Sequence, residues 1–191
     1  MKYQHRLIAL AIAASFSCGA AFAMTKAEYK VADERIEMDY KSAKKACGSM
    51  KANAKDICMA EAKGTEKVAK AENEAQYKPS AKHSYKVNEV KADAAYKTAK
   101  EKCDDLAGNA KDVCVKDAKA VHVKAKADAK VTKVSNETSM VKSDKVADAR
   151  KDGAKDVNEA NYKAAKERCD TLAGDVKDRC VQEAKGKYGQ K

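Results

Sequence analysis

A block of 24 residues occurs three times in this chain, at positions 40–63, 96–119 and 162–185, with the shared pattern Y-K-x-A-K-x-x-C-x10-C-x-x-[DE]-A-K. Each copy contains two cysteines eleven positions apart, and together these make up six of the seven cysteines. The pairs are Cys47 with Cys58, Cys103 with Cys114, and Cys169 with Cys180. A repeat with a fixed internal cysteine pair indicates a repeated structural unit, not a catalytic centre.

The spacing of each pair predicts a turn between its two cysteines. In one continuous α-helix the two Cα atoms would be about 16 Å apart, whereas a disulfide needs them within roughly 7 Å. Gly108, between Cys103 and Cys114, is typical of a left-handed residue at a helix end. Asn109, with Asp112 three residues later, is typical of an N-cap and the first turn of the next helix. We therefore predict an antiparallel helical hairpin, closed by a disulfide, in each copy.

The residues expected to face each other across the turn fit this prediction. In the second copy a turn centred between Gly108 and Asn109 makes these facing pairs: Cys103 with Cys114, Ala99 with Ala118, and Tyr96 with Val121. Alanines let two helices approach closely, and a disulfide closing a loop of this size contributes just under about 3 kcal/mol in the chain-entropy model. The alternative is one long helix built on eleven-residue spacings, in which the cysteines would join different chains. The repeated turn signals favour the hairpin.

The first 23 residues are typical of a secretory signal. Lys2 and Arg6 precede an apolar segment, and Ala21-Phe22-Ala23 supplies the small residues that a signal peptidase recognises. The apolar segment is shorter than the roughly 20 residues of a transmembrane helix. We predict cleavage after Ala23 and export to the periplasm or beyond, with no transmembrane segment in the mature chain. Paired cysteines fit such an oxidising compartment.

The composition of the remaining chain does not allow one large hydrophobic core. Both phenylalanines lie in the signal, there is no tryptophan, and the only leucines after residue 23 are Leu106 and Leu172. Large buried side chains contribute roughly 1.5–3 kcal/mol each, and this chain has few of them. An Ala- and Lys-rich chain with one proline is helix-prone throughout. The predicted fold is all-α, with three disulfide-stapled helical hairpins in an elongated, flexibly joined array.

The predicted division of the chain follows the copies and the breaks between them. Residues around Pro79, and a segment rich in Thr, Ser and Asn from position 131, are typical of linkers. The divisions are the signal peptide 1–23, hairpin repeats 24–70, 85–130 and 146–191, and linkers 71–84 and 131–145.

No catalytic, cofactor-binding or metal-binding residues are predicted. The chain lacks C-x-x-C, and only His83 and His122 lie beyond the signal, so a disulfide framework is favoured over a zinc site. The carboxylates alternate with lysines as on a solvated helical face, and no nucleophile motif or phosphate loop is present. Tyr40, Tyr96 and Tyr162 could stack on a ligand, but packing within the hairpin is the favoured interpretation.

The charge defines the classes of partner to expect. The net charge is +11, of which Lys2 and Arg6 in the signal contribute two. Export removes most nucleic-acid partners, so we expect no specific nucleic-acid binding. The expected partners are the anionic envelope surface or another envelope protein, through weak and salt-sensitive contacts.

The three copies resemble short exported Ala/Lys-rich helical repeat proteins of proteobacteria, some of which are described as TolA-like or as involved in cell envelope biogenesis. Stretches such as AYKTAKEKCDD are also similar to the eleven-residue repeats of helical late embryogenesis abundant proteins. The first resemblance implies a non-enzymatic structural or interaction role in the cell envelope. The second implies a hydrophilic protectant against stress or desiccation, and a weak polyanion- or metal-binding protein is a further alternative.

Overall fold

The computed structural model describes residues 24–137 and 142–191. Within this part of the chain the secondary structure is six α-helices and no strand, so the all-α prediction is confirmed. The helices are α1 (Lys26–Cys47), α2 (Ala52–Tyr77), α3 (Ala81–Cys103), α4 (Gly108–Glu137), α5 (Lys142–Cys169) and α6 (Gly174–Tyr188). The predicted signal peptide and its cleavage site after Ala23 lie outside the described residues.

Each cysteine pair joins two consecutive antiparallel helices. The Cα–Cα distances are 5.5 Å for Cys47–Cys58, 5.6 Å for Cys103–Cys114 and 5.7 Å for Cys169–Cys180. The disulfides therefore link α1 to α2 (hairpin 1), α3 to α4 (hairpin 2) and α5 to α6 (hairpin 3). All three copies therefore have the helix break that the hairpin prediction requires and that the alternative of one long helix lacks.

The turns of the hairpins depend on one residue in the left-handed conformation. Gly108 has a φ of 56° and Gly174 a φ of 55°, as expected for the glycine of the predicted turn. The first copy has Ala52 at the same position, with a φ of 48°. The predicted N-cap at Asn109 is wrong, because α4 already begins at Gly108 and the Asn109 side chain instead donates to the backbone of α5, 2.9 Å from the Glu167 oxygen.

The interior of the array is built from alanine and cysteine. Cys47, Cys103 and Cys169 are at most 1% exposed. The other buried apolar residues of the described chain are alanines along the helices, which are Ala62, Ala92, Ala120, Ala129, Ala149, Ala160, Ala164 and Ala184. Small side chains on both sides of an interface let helix backbones approach closely, so the disulfides and these contacts take the place of a core of large residues.

Each helix packs only against the helices next to it in the sequence, within the described residues. This includes α2 with α3 and α4 with α5, so neighbouring hairpins are in contact as well as connected. The predicted linkers are largely helical: α2 continues to Tyr77, leaving only residues 78–80 as the connection to α3. In the second linker α4 continues to Glu137 and α5 begins at Lys142, and residues 138–141 lie outside the described part. Helix-forming Ala and Lys around the turn residues extend the helices further than the turn signals suggested.

Candidate interaction groove

A cleft of about 1140 Å³ lies over α2 between α1 and α3. It forms because α1 and α3 both pack against α2 but do not touch each other. Its α1 wall runs from Tyr29 to Lys44, a helical rise of about 22 Å. We call this cleft the α1–α3 groove; it is an elongated surface suited to a long or extended partner.

The floor of the α1–α3 groove is apolar and made of small residues. Ala60, Gly64 and Ala71 of α2 contribute to it, with Ala94 of α3 beside them. A Cβ atom on Gly64 would lie only 3.0 Å from the Cβ of Ala94, so glycine is what allows α2 and α3 to approach this closely. Because these residues are small, the base of the groove lies close to the helix backbones, and the longer side chains form its sides.

Lysines dominate the sides of the groove. Six of them line it, which are Lys44, Lys63, Lys67, Lys70, Lys86 and Lys97. Lys63, Lys67 and Lys70 lie four and three residues apart on α2, and so on one face of that helix. This spacing could have been found in the sequence, but the contribution of α3 depends on the packing of hairpin 2 on hairpin 1, which the sequence did not predict.

Only Lys70 among these six is ion-paired within the described residues, to Glu37 at 3.1 Å and to Glu66 at 3.5 Å. The hydrogen bond with Lys70 lowers the pKa of Glu37, and the same bond raises the pKa of Lys70. The side-chain nitrogens of the other five lysines have no carboxylate oxygen of the described residues within 4 Å. Five carboxylates also line the groove. Asp93 is bonded to His122 and Glu74 lies 3.8 Å from His83, whereas three, Asp33, Asp56 and Glu101, have no ion pair within the described residues. The groove therefore carries more uncompensated positive than negative charge.

The same arrangement recurs over α4, between α3 and α5. Two smaller clefts of about 330 Å³ each lie along α4, and Lys119 lines both. One reaches Tyr85 of α3, and the other is lined by α4 and α5 alone. Counting from the cysteines, Tyr85 takes the place of Tyr29, Lys119 that of Lys63, and Lys163 that of Lys97. Here, however, Lys126 and Lys130 are paired with Glu89 and Asp152, at 3.4 and 3.5 Å. The lysines of this second surface are thus more fully compensated than those of the α1–α3 groove.

His122 of α4 forms a buried polar contact beside the second cleft. Its side chain is 9% exposed, its Nε2 lies 2.6 Å from Asp93 Oδ1, and its ring stacks on Tyr96 with centroids 4.8 Å apart. Burial of Asp93 raises its pKa, but the hydrogen bond with His122 and the charges of Lys126 and Lys86 outweigh this and leave the pKa lowered. The sequence did not identify this pair, because the facing of α3 and α4 is set by how the helices cross.

The predicted facing of Tyr96 with Val121 is wrong by one residue. Val121 is 69% exposed, and Tyr96 packs on His122. Two helices that cross at an angle drift out of a simple opposing register with distance from the disulfide. Of the other repeated tyrosines, Tyr40 lines the α1–α3 groove and Tyr162 is half-buried. Tyr29 stacks on Tyr77 with centroids 4.8 Å apart.

Residues 24–137 and 142–191 contain no group of three or more His, Cys, Asp or Glu side chains placed to hold a metal ion. None of the helices in these ranges is long and apolar enough to span a bilayer. Comparisons with protein-family models, curated proteins and solved structures give no match. Function has to be argued from the geometry of the groove.

Proposed function

We propose that this chain is a non-enzymatic exported protein with a structural or interaction role in the cell envelope, and that the α1–α3 groove contacts the anionic envelope surface. The observation that carries the proposal is the set of five lysines without ion pairs around one elongated groove. Lysines held on three packed helices present their charge together, so the attraction to an anionic surface is concentrated at one place.

The disulfides support the exported location. All six cysteines after residue 23 are paired within the hairpins. Disulfides of this structural kind persist in oxidising compartments such as the periplasm and are rare where thiols are kept reduced. The predicted signal sequence at positions 1–23 is consistent with this location.

The proposed contact is electrostatic and does not require insertion into a bilayer. No helix carries more than two of the large exposed apolar residues of the described chain. These residues are Met50, Leu106 and Leu172 at the same position of the three hairpin turns, Val31 and Met38 on α1, Val121 on α4 and Val176 on α6. Insertion of a helix into an interface needs a continuous apolar face, which these residues do not form. The contact should therefore weaken as salt screens charges beyond roughly 8 Å at physiological ionic strength.

Vesicle binding tests the role of the groove. We expect the oxidised protein to bind vesicles rich in anionic lipid at low salt and to lose most of this binding at physiological salt. Replacing Lys63, Lys67 and Lys97 with Gln should lower low-salt binding by about a hundredfold, because each lysine near an anionic surface contributes about 1 kcal/mol.

The matched control replaces three exposed lysines outside the groove, Lys30, Lys55 and Lys151, with Gln. It removes the same charge and should weaken binding much less. Equal loss in both variants would show that net charge, not the groove, drives the contact. A single tight, salt-resistant protein partner recovered with the envelope fraction would contradict the proposed surface contact, and Tyr40 would then be the first groove residue to replace.

A further inference from the structure

A hydrogen bond between hairpin 1 and hairpin 2 recurs between hairpin 2 and hairpin 3, at the same positions of the repeat. Asn53, six residues after Cys47, donates to the Glu101 oxygen at 2.7 Å, and Asn109, six residues after Cys103, donates to the Glu167 oxygen at 2.9 Å. Each asparagine is the second residue of the second helix of one hairpin, and it bonds to the end of the first helix of the next hairpin. It therefore acts as a connection from one copy to the following one.

An ion pair recurs in the same way. Lys102, directly before Cys103, lies 3.0 Å from Glu61, and Arg168, directly before Cys169, donates to both carboxylate oxygens of Asp117. The acid stands three residues after the second cysteine of one copy, and the base stands before the first cysteine of the next.

A close approach of small residues completes the set. Gly64, six residues after Cys58, meets Ala94 of the next hairpin. At the same positions of the following interface stand Ala120 and Ala160, which are 7% and 8% exposed. The asparagine hydrogen bond and the ion pair recur with the same register, and small residues fill the positions of the close contact in both interfaces. Contacts repeated in this way are able to propagate through a stack of identical units.

The first hairpin lacks the residues that would extend this interface. In α1 the position of the base, filled by Lys102 or Arg168 in the later copies, is occupied by Ala46. Met38 of α1, which is 62% exposed, stands at the position where α3 has Ala94 and α5 has Ala160.

The last hairpin lacks the connecting asparagine but keeps the rest. Asp175 of α6 stands where Asn53 and Asn109 stand, and it is exposed. Glu183 occupies the position of the acid. Gly186 occupies the position of Gly64, and a Cβ atom there would meet nothing within 4 Å. The outer face of α6 thus keeps the acid and the glycine, differs at Asp175, and ends at Tyr188, after 15 residues, whereas α2 and α4 have 26 and 30.

We infer that Met38, Ala46 and Asp175 prevent head-to-tail association of one chain with another, so that the array ends after three hairpins. A second chain that placed its α1 on α6 would set the Asp175 carboxylate against the Lys45 carbonyl, two acceptors with no proton between them. Glu183 would have no base opposite it, and Met38 would occupy the space where backbones approach. Such elements that disfavour an alternative assembly are a common means of specificity.

The test restores the interface in the full-length oxidised protein. The triple variant Met38→Ala, Ala46→Lys, Asp175→Asn should associate head to tail, so that its weight-average mass in light scattering more than doubles as concentration rises. The wild-type protein should keep the mass of one chain over the same range. All three positions are exposed, and unchanged helicity by circular dichroism would show that the variant is folded.

A fourth substitution, Gly186→Leu, distinguishes association through the inferred interface from non-specific association. Added to the triple variant, it leaves the charge unchanged but blocks the close approach on α6, so the protein should return to single chains. The inference is overturned if the triple variant stays a single chain, if wild type itself assembles, or if Gly186→Leu leaves the association intact.

Discussion

Ala52 adopts a strained backbone conformation, and the other two copies of the repeat avoid this strain because they have glycine at the same position. Its φ of 48° lies in the left-handed region, where the Cβ atom approaches the following carbonyl oxygen. Gly108 and Gly174 adopt the same conformation at the equivalent positions without that contact. The turn geometry is therefore fixed by the hairpin and its disulfide, and the residue in the first copy follows it.

Replacing Ala52 with Gly should stabilise the protein by about 1 kcal/mol, because it removes the left-handed strain in the folded state. The reverse change, Gly108→Ala, should destabilise it by a similar amount, since a Cβ atom there meets nothing within 4 Å and only backbone strain is added. Urea unfolding with the disulfides intact measures both. A loss of stability on Ala52→Gly would contradict this reading of the turn.

The Asp93–His122 contact should make stability depend on pH on the acid side. Because the folded pKa of Asp93 is lowered, its contribution is present above its unfolded pKa of about 3.9 and is lost as pH falls through the folded value. The variant Asp93→Asn should therefore lose less stability than wild type over that acid range. Asp56→Asn, which alters a groove carboxylate without an ion pair, is the control. Parallel pH profiles for wild type and Asp93→Asn would contradict the prediction.

The hairpins were predictable at the level of the element, and their packing against one another was not. The eleven-residue cysteine spacing, together with Gly108 and Gly174, predicts the turn, the cysteine pairing and the antiparallel direction of the two helices. All three depend only on a short segment of chain. The contact of α2 with α3 depends on Gly64 meeting Ala94, thirty positions away, and Gly64 looks in the sequence like an unfavourable helix residue. The local pattern at Asn109 predicts a helix cap, whereas its side chain donates to the carbonyl oxygen of Glu167, 58 residues away. The α1–α3 groove depends on this packing, and so could not be foreseen.

The packing of hairpin 1 on hairpin 2 should fail when the close contact is blocked. Gly64→Leu places a large side chain where the Ala94 Cβ is already 3.0 Å from an added Cβ, and overpacking of this kind costs about 1–3 kcal/mol. Gly186→Leu introduces the same residue at the same position of α6, where the space is open, and should not destabilise the chain. Thermal unfolding of the two variants compares them directly. Equal stability of both would show that α2 and α3 do not depend on this approach.

At the scale of the whole molecule, the stabilising contacts are distributed along the chain, between helices that are neighbours in the sequence. No helix in the described residues packs on one beyond its sequence neighbours, and the buried apolar side chains are alanines and cysteines. Small buried side chains contribute little hydrophobic free energy each. The disulfides are therefore expected to hold a large share of the stability, as they do in small domains that lack a sizeable core.

Reduction should accordingly unfold much of the array. Each disulfide closes a loop defined by a separation of eleven residues and contributes just under about 3 kcal/mol in the chain-entropy model. We expect strong helicity by circular dichroism for the oxidised protein in dilute buffer, and a lower urea midpoint after reduction. A variant with all six cysteines changed to serine should match the reduced protein and not respond to reductant. An oxidised chain that is a coil in dilute buffer and becomes helical only on dehydration would contradict the structural role and favour the stress protectant, because a protectant of that kind orders when water is withdrawn.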